Sequence, residues 1–126
     1  MILLDTHIWI WINTAARLLP ASVREGVEDG EAFAISAISV WETMLLLEKK
    51  RLEVAGLPNE TVRKWIAANP IEIIDLTVET TILARSMPFQ HDDPADRFIA
   101  ATAYRLGVPL ATTDERLRRL PWLKSL

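Results

Sequence analysis

The chain has 126 residues and half of them are hydrophobic, which suits one domain with a substantial core. Its formal net charge of −3 argues against a nucleic-acid packaging protein, since such proteins are usually basic. Cysteine is absent, which excludes disulfides, zinc–thiolate sites and cysteine nucleophiles. Apolar runs such as Ile8 to Ile12 are too short to cross a membrane, and the N-terminus lacks the form of a signal peptide. We therefore expect a cytoplasmic protein without membrane contact.

Short apolar runs alternate along the chain with longer stretches of helical spacing. Strands are predicted at residues 1–5, 33–37, 71–75 and 108–112, and helices at residues 39–50, 59–68, 77–86 and 94–106. Continuous apolar runs are typical of buried parallel strands, because both of their faces are covered. Gly107 indicates where the helix before the fourth run ends. The pattern predicts an α/β fold with a parallel sheet, in a single domain spanning residues 1–126.

Two acidic residues directly follow predicted strands. Asp5 closes the first apolar run, and Asp114 comes shortly after the fourth. Sites in parallel sheets form at the carboxyl ends of strands, so both positions are candidates for chemistry. Each of the two residues also suits a turn or the cap of the following helix.

Two further acids are predicted in the first turn of a helix. Ser39 and Glu42, in the segment SVWE, match a capping box, which alone could explain Glu42. Pro94 suits the first position of the helix predicted at residues 94–106, which makes Asp93 its cap. Asp96 then lies one turn into the helix and is a candidate for a metal and catalytic role. Its neighbour Asp92 is expected to be exposed and to add only negative potential.

A helix N-terminus favours the ionised form of a carboxylate, so these acids are expected to be anionic near neutral pH. Several anions facing one cleft repel one another, and a bound divalent cation would relieve that repulsion. Oxygen ligands favour Mg²⁺ or Mn²⁺, and carboxylate-bound magnesium commonly serves reactions of phosphates. The predicted metal ligands are Asp5, Glu42, Asp96 and Asp114.

Four segments in order carry a resemblance to a known family: LLDTHIWIW (3–11), ISAISVWETMLLLEKKRL (35–52), HDDPADRFIAATA (91–103) and LATTD (110–114). With these motifs the chain resembles the PIN-domain family, and within it the VapC-like toxin ribonucleases of type II toxin–antitoxin systems. The resemblance implies a three-layer α/β/α sandwich with a central parallel sheet. It also implies metal-dependent cleavage of RNA that leaves a 5′-phosphate and a 3′-hydroxyl. The catalytic and metal-binding residues that it implies are Asp5, Glu42, Asp96 and Asp114.

The resemblance further implies partners for the chain. Similar proteins usually form homodimers and are held inactive by a small VapB-like antitoxin. The RNA target, the identity of the antitoxin and the number of metal ions are left open by the sequence.

Neighbours of the acids are candidates for supporting roles. Thr112 and Thr113 are expected to position Asp114 or a water on the metal. Arg97 is expected either to pair with a carboxylate or to bind a phosphate through its fork. His7 and His91 are interpreted as structural residues in preference to ligands. The full supporting set is Thr6, Asp93, Arg97, Thr112 and Thr113.

Basic and aromatic residues supply candidates for contact with RNA. The preferred contacts for RNA phosphates are Arg116, Arg118 and Arg119. The basic run 49–51 is more simply explained as a favourable helix C-terminus. Most of the five tryptophans are expected in the core or an interface rather than stacked on bases. Trp9 and Trp11, with the neighbouring isoleucines, are interpreted as an apolar surface for a partner or a second subunit.

Three functions were weighed for this pattern. The preferred one is a Mg²⁺- or Mn²⁺-dependent endoribonuclease toxin that a cognate antitoxin neutralises. A catalytically inactive RNA- or antitoxin-binding PIN-like module is the alternative, and the presence of all four acids counts against it. A phosphatase or receiver-like domain would need a second acid two residues after Asp5 or a lysine at a later strand end. Position 7 is histidine and no such lysine is evident, which disfavours that function.

Overall fold

The computed structural model describes residues 1–90 and 92–126. Its central sheet has four parallel strands, which are β1 (Ile2–Leu4), β2 (Phe33–Ser36), β3 (Glu72–Ile74) and β4 (Leu110–Ala111). Their order across the sheet is β3-β2-β1-β4. The predicted parallel sheet is therefore confirmed, with each strand lying inside or overlapping its predicted apolar run.

Helices follow every strand. They are α1 (Thr6–Thr14), α2 (Ala21–Glu28), α3 (Ala37–Glu48), α4 (Pro58–Ala68), α5 (Val78–Ser86), α6 (Pro94–Leu106) and α7 (Glu115–Arg118). The bounds of α6 are those predicted, and Gly107 closes it in the left-handed conformation with φ of 66°. Within the described residues no helix has both the length and the apolar character needed to span a membrane.

Successive residues of β1 point to opposite faces of the sheet, and helices cover both faces. Ile2 and Leu4 pack in one cluster with apolar residues of α1, α2 and α4. Leu3 packs in a second cluster with α6, α7 and the C-terminal segment after it. Burial on both sides explains why the strands are apolar without alternation. The result is the expected three-layer α/β/α sandwich.

The apolar stretch of α1 belongs to the first of these clusters. Ile8, Trp9 and Ile10 are buried, with only 1% of Trp9 exposed. The Trp9 ring meets Trp65 of α4 edge-on, with 5.8 Å between ring centroids. The interpretation as a surface for a partner is therefore wrong for Ile8, Trp9 and Ile10, because the sheet and neighbouring helices cover several sides of α1 at once. Trp11 is only half-buried.

The strand order reverses next to β1. The chain steps from β1 to β2 to β3 in one direction and then returns to place β4 on the other side of β1. In parallel α/β proteins, ligands bind in the crevice at such a reversal, outside the carboxyl ends of the strands. Asp5 directly follows β1 and Thr112 directly follows β4, so both residues lie at this edge.

Candidate active site

An open cleft of about 310 Å³ lies at this edge of the sheet. Its lining includes the four predicted acids, Asp5, Glu42, Asp96 and Asp114. Asp93, Thr113 and Arg116 also line the cleft, as do His7 and Trp11 of α1. The four acids come from four separate segments of the chain, so the tertiary fold is what gathers them.

Asp5 is held by hydrogen bonds to both of its carboxylate oxygens. The N–H of Thr6 donates to Oδ1 at 2.8 Å, and Thr112 Oγ1 donates to Oδ2 at 2.7 Å. Thr112 Oγ1 also accepts from the N–H of Asp114 at 3.0 Å, which links the first acid to the last. Burial raises the pKa of Asp5, although these hydrogen bonds act to lower it. Asp5 therefore caps α1, and its carboxylate is held in one position in the lining of the cleft.

Replacing Thr112 with valine should lower the free energy of unfolding by about 1–3 kcal/mol, the cost of buried polar groups left without partners. The change removes the donor to Asp5 Oδ2 and the acceptor of the Asp114 N–H. Thr112→Ser keeps a hydroxyl and should lose much less. Urea unfolding of the two variants measures the difference, and equal stability of Thr112→Val and the wild type would contradict this role for the hydroxyl.

The start of α3 differs from the sequence-based prediction. The helix begins at Ala37, and its cap is Ser36, whose Oγ accepts from the N–H of Ile38 at 3.2 Å. The predicted capping box of Ser39 and Glu42 is therefore wrong. The cap lies three residues earlier than predicted because β2 runs directly into the helix.

Ser39 has a tertiary partner instead of a capping role. It is buried, and its Oγ accepts from Thr6 Oγ1 at 2.9 Å, which ties α3 to the start of α1. Glu42 lies in the second turn of α3, half-buried at the cleft. Burial raises the pKa of Glu42, and the negative charges of Asp5 and Asp93 raise it further, while the nearby Thr6 side chain acts to lower it.

The two aspartates at the start of α6 have separate places. Asp93 is the cap, as predicted, and its Oδ1 accepts from the N–H of Ala95 at 3.0 Å and of Asp96 at 3.5 Å. Asp96 points into the cleft with 10% of its side chain exposed. Burial, followed by the charges of the other four carboxylates in the cleft, raises the pKa of Asp96 to about 7.

The expectation that all four acids are anionic near neutral pH is not met by Asp96 in the metal-free protein, because its pKa is raised to about 7. The pKa values of Asp5 and Glu42 are raised too, whereas a helix N-terminus alone would lower them. Desolvation by burial is the largest cause in every case and outweighs the partial positive charge of a helix N-terminus. Mutual repulsion within the cleft adds to it.

The cap of α6 offers a stability test. Asp93→Ala should lower the free energy of unfolding by about 0.5–2 kcal/mol, the usual cost of a lost cap, when measured in urea at pH 5. At that pH Asp96 is protonated, so relief of repulsion between the two residues adds little. Asp93→Asn keeps a capping oxygen and should lose less. Equal losses in both variants would show that the charge, and not the capping oxygen, stabilises α6.

Asp114 caps α7 and is engaged by Arg116. Its Oδ1 accepts from the backbone N–H of Arg116 at 2.9 Å and from Nε at 3.2 Å. Its Oδ2 accepts from Nη2 at 3.0 Å, and the same nitrogen lies 3.7 Å from Asp96 Oδ2. These contacts raise the pKa of the guanidinium. Arg116 thus bridges acids of two elements inside the cleft.

Arg97 contacts α5 and the preceding loop. Nη1 donates to the carbonyl of Ala84 at 3.0 Å, and Nη2 donates to Asp92 at 3.1 Å. The guanidinium carbon also lies 4.8 Å from the centre of the Phe89 ring. Of the two predicted roles, pairing with a carboxylate is confirmed. Asp92 is 89% exposed, as expected, but it pairs with Arg97 and so does more than add negative potential.

The remaining candidates occupy varied positions. Arg118 donates to the carbonyls of Thr112 and Leu126, which fixes the C-terminus beside β4. Arg119 is exposed at the end of α7. His91 lies outside the described residues.

His7 and Trp11 also line the cleft, although the sequence favours a structural role for His7 and an apolar partner surface for Trp11. Their rings form an edge contact with 6.3 Å between centroids. Their spacing in the sequence could have indicated that both residues face the same side of α1, because residues four apart share a helix face.

The donor set of the cleft suits a hard divalent cation, because it consists of carboxylate and hydroxyl oxygens. The raised pKa values of Glu42 and Asp96 show that the carboxylates repel one another. Among the residues that the structure describes, however, no three acidic or histidine side chains are already close enough to hold one metal ion. The acids therefore fit Mg²⁺ or Mn²⁺ by chemistry, while Arg116 supplies positive charge between two of them.

Known proteins share this fold and sequence pattern. The sequence model of the PIN-domain family matches residues 2–123 of this chain. Ribonuclease VapC22 of Mycobacterium tuberculosis is 32% identical over 120 residues, covering 93% of this chain and 89% of the relative. VapBC2 of Rickettsia felis bound to promoter DNA has a TM-score of 0.71 at 21% identity, with 100% of this chain and 98% of that chain covered. DNA-bound VapBC of Salmonella typhimurium has a TM-score of 0.71 at 21% identity, with 99% of this chain and 96% of that chain covered. The chain therefore belongs to the PIN-domain family.

Proposed function

We propose that residues 1–126 form a single nuclease domain, a metal-dependent endoribonuclease toxin that hydrolyses RNA phosphodiester bonds. The observation that carries this proposal is the convergence of four carboxylates from four segments in one cleft at the strand reversal. Stability alone would not select such a cluster, because burial and repulsion raise the pKa values of three of the four. Similarity to a VapC ribonuclease supports the same activity.

The residues proposed to hold Mg²⁺ or Mn²⁺ are Asp5, Glu42, Asp96 and Asp114. When bound, the cation supplies positive charge that activates water and offsets the charge of the phosphate. Asp5 presents its oxygens in a fixed position, because Thr6 and Thr112 hold it. In the metal-free protein the pKa of Asp96 is about 7, so binding of the cation would release a proton from this carboxylate close to physiological pH. The Thr112 hydroxyl keeps the segments of Asp5 and Asp114 together.

Other residues of the cleft are proposed to contact the RNA. The half-buried ring of Trp11 borders the acids and offers a face on which a base can stack. Thr113 is exposed at the cleft and offers a hydroxyl to the phosphate or to water. Arg116 is engaged by Asp114, which leaves Arg118 and Arg119 as basic candidates for contact with RNA phosphates. Arg119 is the better placed of the two, because it is exposed at the end of α7 while Arg118 is bound to backbone carbonyls.

We propose a small VapB-like antitoxin as the partner that keeps the enzyme inactive, and a homodimer as its assembly. The fold is that of chains solved in VapBC complexes, which supports an antitoxin partner for this chain as well.

Purified protein tests the activity directly. It should cut RNA in the presence of Mg²⁺ or Mn²⁺, stop when EDTA is added and resume when excess metal is restored. Asp5→Asn should be inactive, and growth arrest on expression of the chain should disappear with it. Growth arrest that survives Asp5→Asn, without cleavage of any RNA by stoichiometric metal-loaded protein, would favour the inactive binding module instead.

A further inference from the structure

Arg116 folds back over the start of its own helix into the acidic cleft. Its Nε and Nη2 form a two-pronged contact with the two oxygens of Asp114, at 3.2 and 3.0 Å. Nη2 also approaches Asp96 Oδ2 at 3.7 Å. Because Asp96 belongs to α6 and Asp114 precedes α7, one guanidinium lies between acids that only the tertiary fold brings together.

The guanidinium lies beside two carboxylates of the cleft. It is the only arginine or lysine among the described residues that line it. The planar guanidinium matches the geometry of a carboxylate, and its positive charge lowers the repulsion between Asp96 and Asp114. Its side chain is nevertheless 56% exposed. The guanidinium can therefore move from the acids into solvent, because the side chain that would have to move is itself largely exposed.

We propose that Arg116 is an internal counter-ion of the acidic cleft, which competes with the divalent cation for Asp96 and Asp114. In the metal-free protein the guanidinium neutralises these two acids, and binding of the cation requires it to swing away. This inference rests on the proposed function, because it takes the same acids to be the metal ligands. It gives Arg116 a role that differs from the phosphate contact predicted from sequence, since its fork is already engaged by carboxylates.

Mn²⁺ affinity tests the competition without recourse to activity. Calorimetric titration at pH 8 should show a dissociation constant for Arg116→Ala that is roughly fivefold lower than for the wild type, the scale of an exposed ion pair. Arg116→Lys keeps the charge but not the fork, so it should fall between the two. Arg119→Ala removes the same charge from the C-terminal end of the same short helix and serves as the matched control. We expect its affinity to stay within about twofold of the wild type, because exposed charges are screened.

Thermal unfolding gives a second readout. In EDTA at pH 8, Arg116→Ala should melt below the wild type, because the acids lose their counter-ion, and saturating Mn²⁺ should close the gap. A purely structural role for Arg116 would lower the melting temperature equally with and without Mn²⁺.

The outcomes separate the inference from the function on which it rests. If wild-type protein binds Mn²⁺ and Asp96→Asn abolishes that binding, the proposed metal site stands. An Arg116→Ala affinity equal to or weaker than the wild type would then overturn the competition alone. Absence of Asp96-dependent Mn²⁺ binding in the wild type would overturn both.

Discussion

Asp96→Asn is expected to reduce RNA cleavage by at least about a hundredfold, the scale of removing a positioned charge from an active site. The amide has nearly the volume of the carboxylate, so the packing of α6 is kept. It cannot supply an anionic oxygen to a metal, which is the property proposed for Asp96. Initial rates on a defined RNA, with Mg²⁺ in excess, measure the loss.

Asp92→Asn provides the matched control for that substitution. It makes the same chemical change four residues earlier, but its side chain is 89% exposed and pairs with Arg97 instead of lining the cleft. We expect its cleavage rate to stay within a factor of about two, since exposed ion pairs contribute little. Retention of more than a tenth of the wild-type rate by Asp96→Asn would contradict a metal-binding role for Asp96.

The second large effect concerns stability without metal. In the folded protein the pKa of Asp96 is about 7, against an ordinary value of 3.8. The folded state therefore holds a proton that the unfolded state has released, so the free energy of unfolding falls as the pH rises from about 4 to 7. The contribution is complete below about pH 4 and lost above pH 7. We expect a loss of about 2 kcal/mol by pH 8, which is smaller than the full shift implies because the cleft is open to solvent.

Urea unfolding in EDTA at pH 5 and pH 8 measures this loss. Asp96→Asn removes the titrating group, so its stability should fall much less over the same interval and should match or exceed that of the wild type at pH 8. The difference between the two profiles isolates Asp96, because Asp5 and Glu42 titrate in both proteins. Parallel profiles would show that the Asp96 charge is not unfavourable in the folded state.

Local signals explain why α6 could be predicted from sequence. Asp93 and Pro94 determine where the helix begins, and Gly107 determines where it ends, without help from distant residues. Asp5 and Asp114 were found from local signals as well, because each follows an apolar run. Asp96 follows from the cap at Asp93, whereas Glu42 was placed through a capping box that the structure does not have. Their gathering in one cleft follows from the strand order.

Features that depend on tertiary contacts could not be predicted. Ser36 and Ser39 are equally good caps in sequence, and the choice is fixed by a hydrogen bond from Thr6 to Ser39 together with the direct passage from β2 into α3. The apolar residues of α1 do not reveal on how many sides the sheet and other helices cover this helix. Trp9 was therefore predicted to lie on a surface. Protonation of Asp96 depends on burial, which no local pattern reveals.

The position of Mn²⁺ in a crystal tests the central claim most directly. Anomalous scattering from crystals soaked in Mn²⁺ at pH 8 should show a peak in the cleft, about 2–2.5 Å from carboxylate oxygens of Asp5 and Asp96. Arg116 should have left Asp114 in the same crystals. A cleft without a peak at saturating Mn²⁺, with the guanidinium still on Asp114, would contradict the proposal that these acids form a metal-dependent nuclease site.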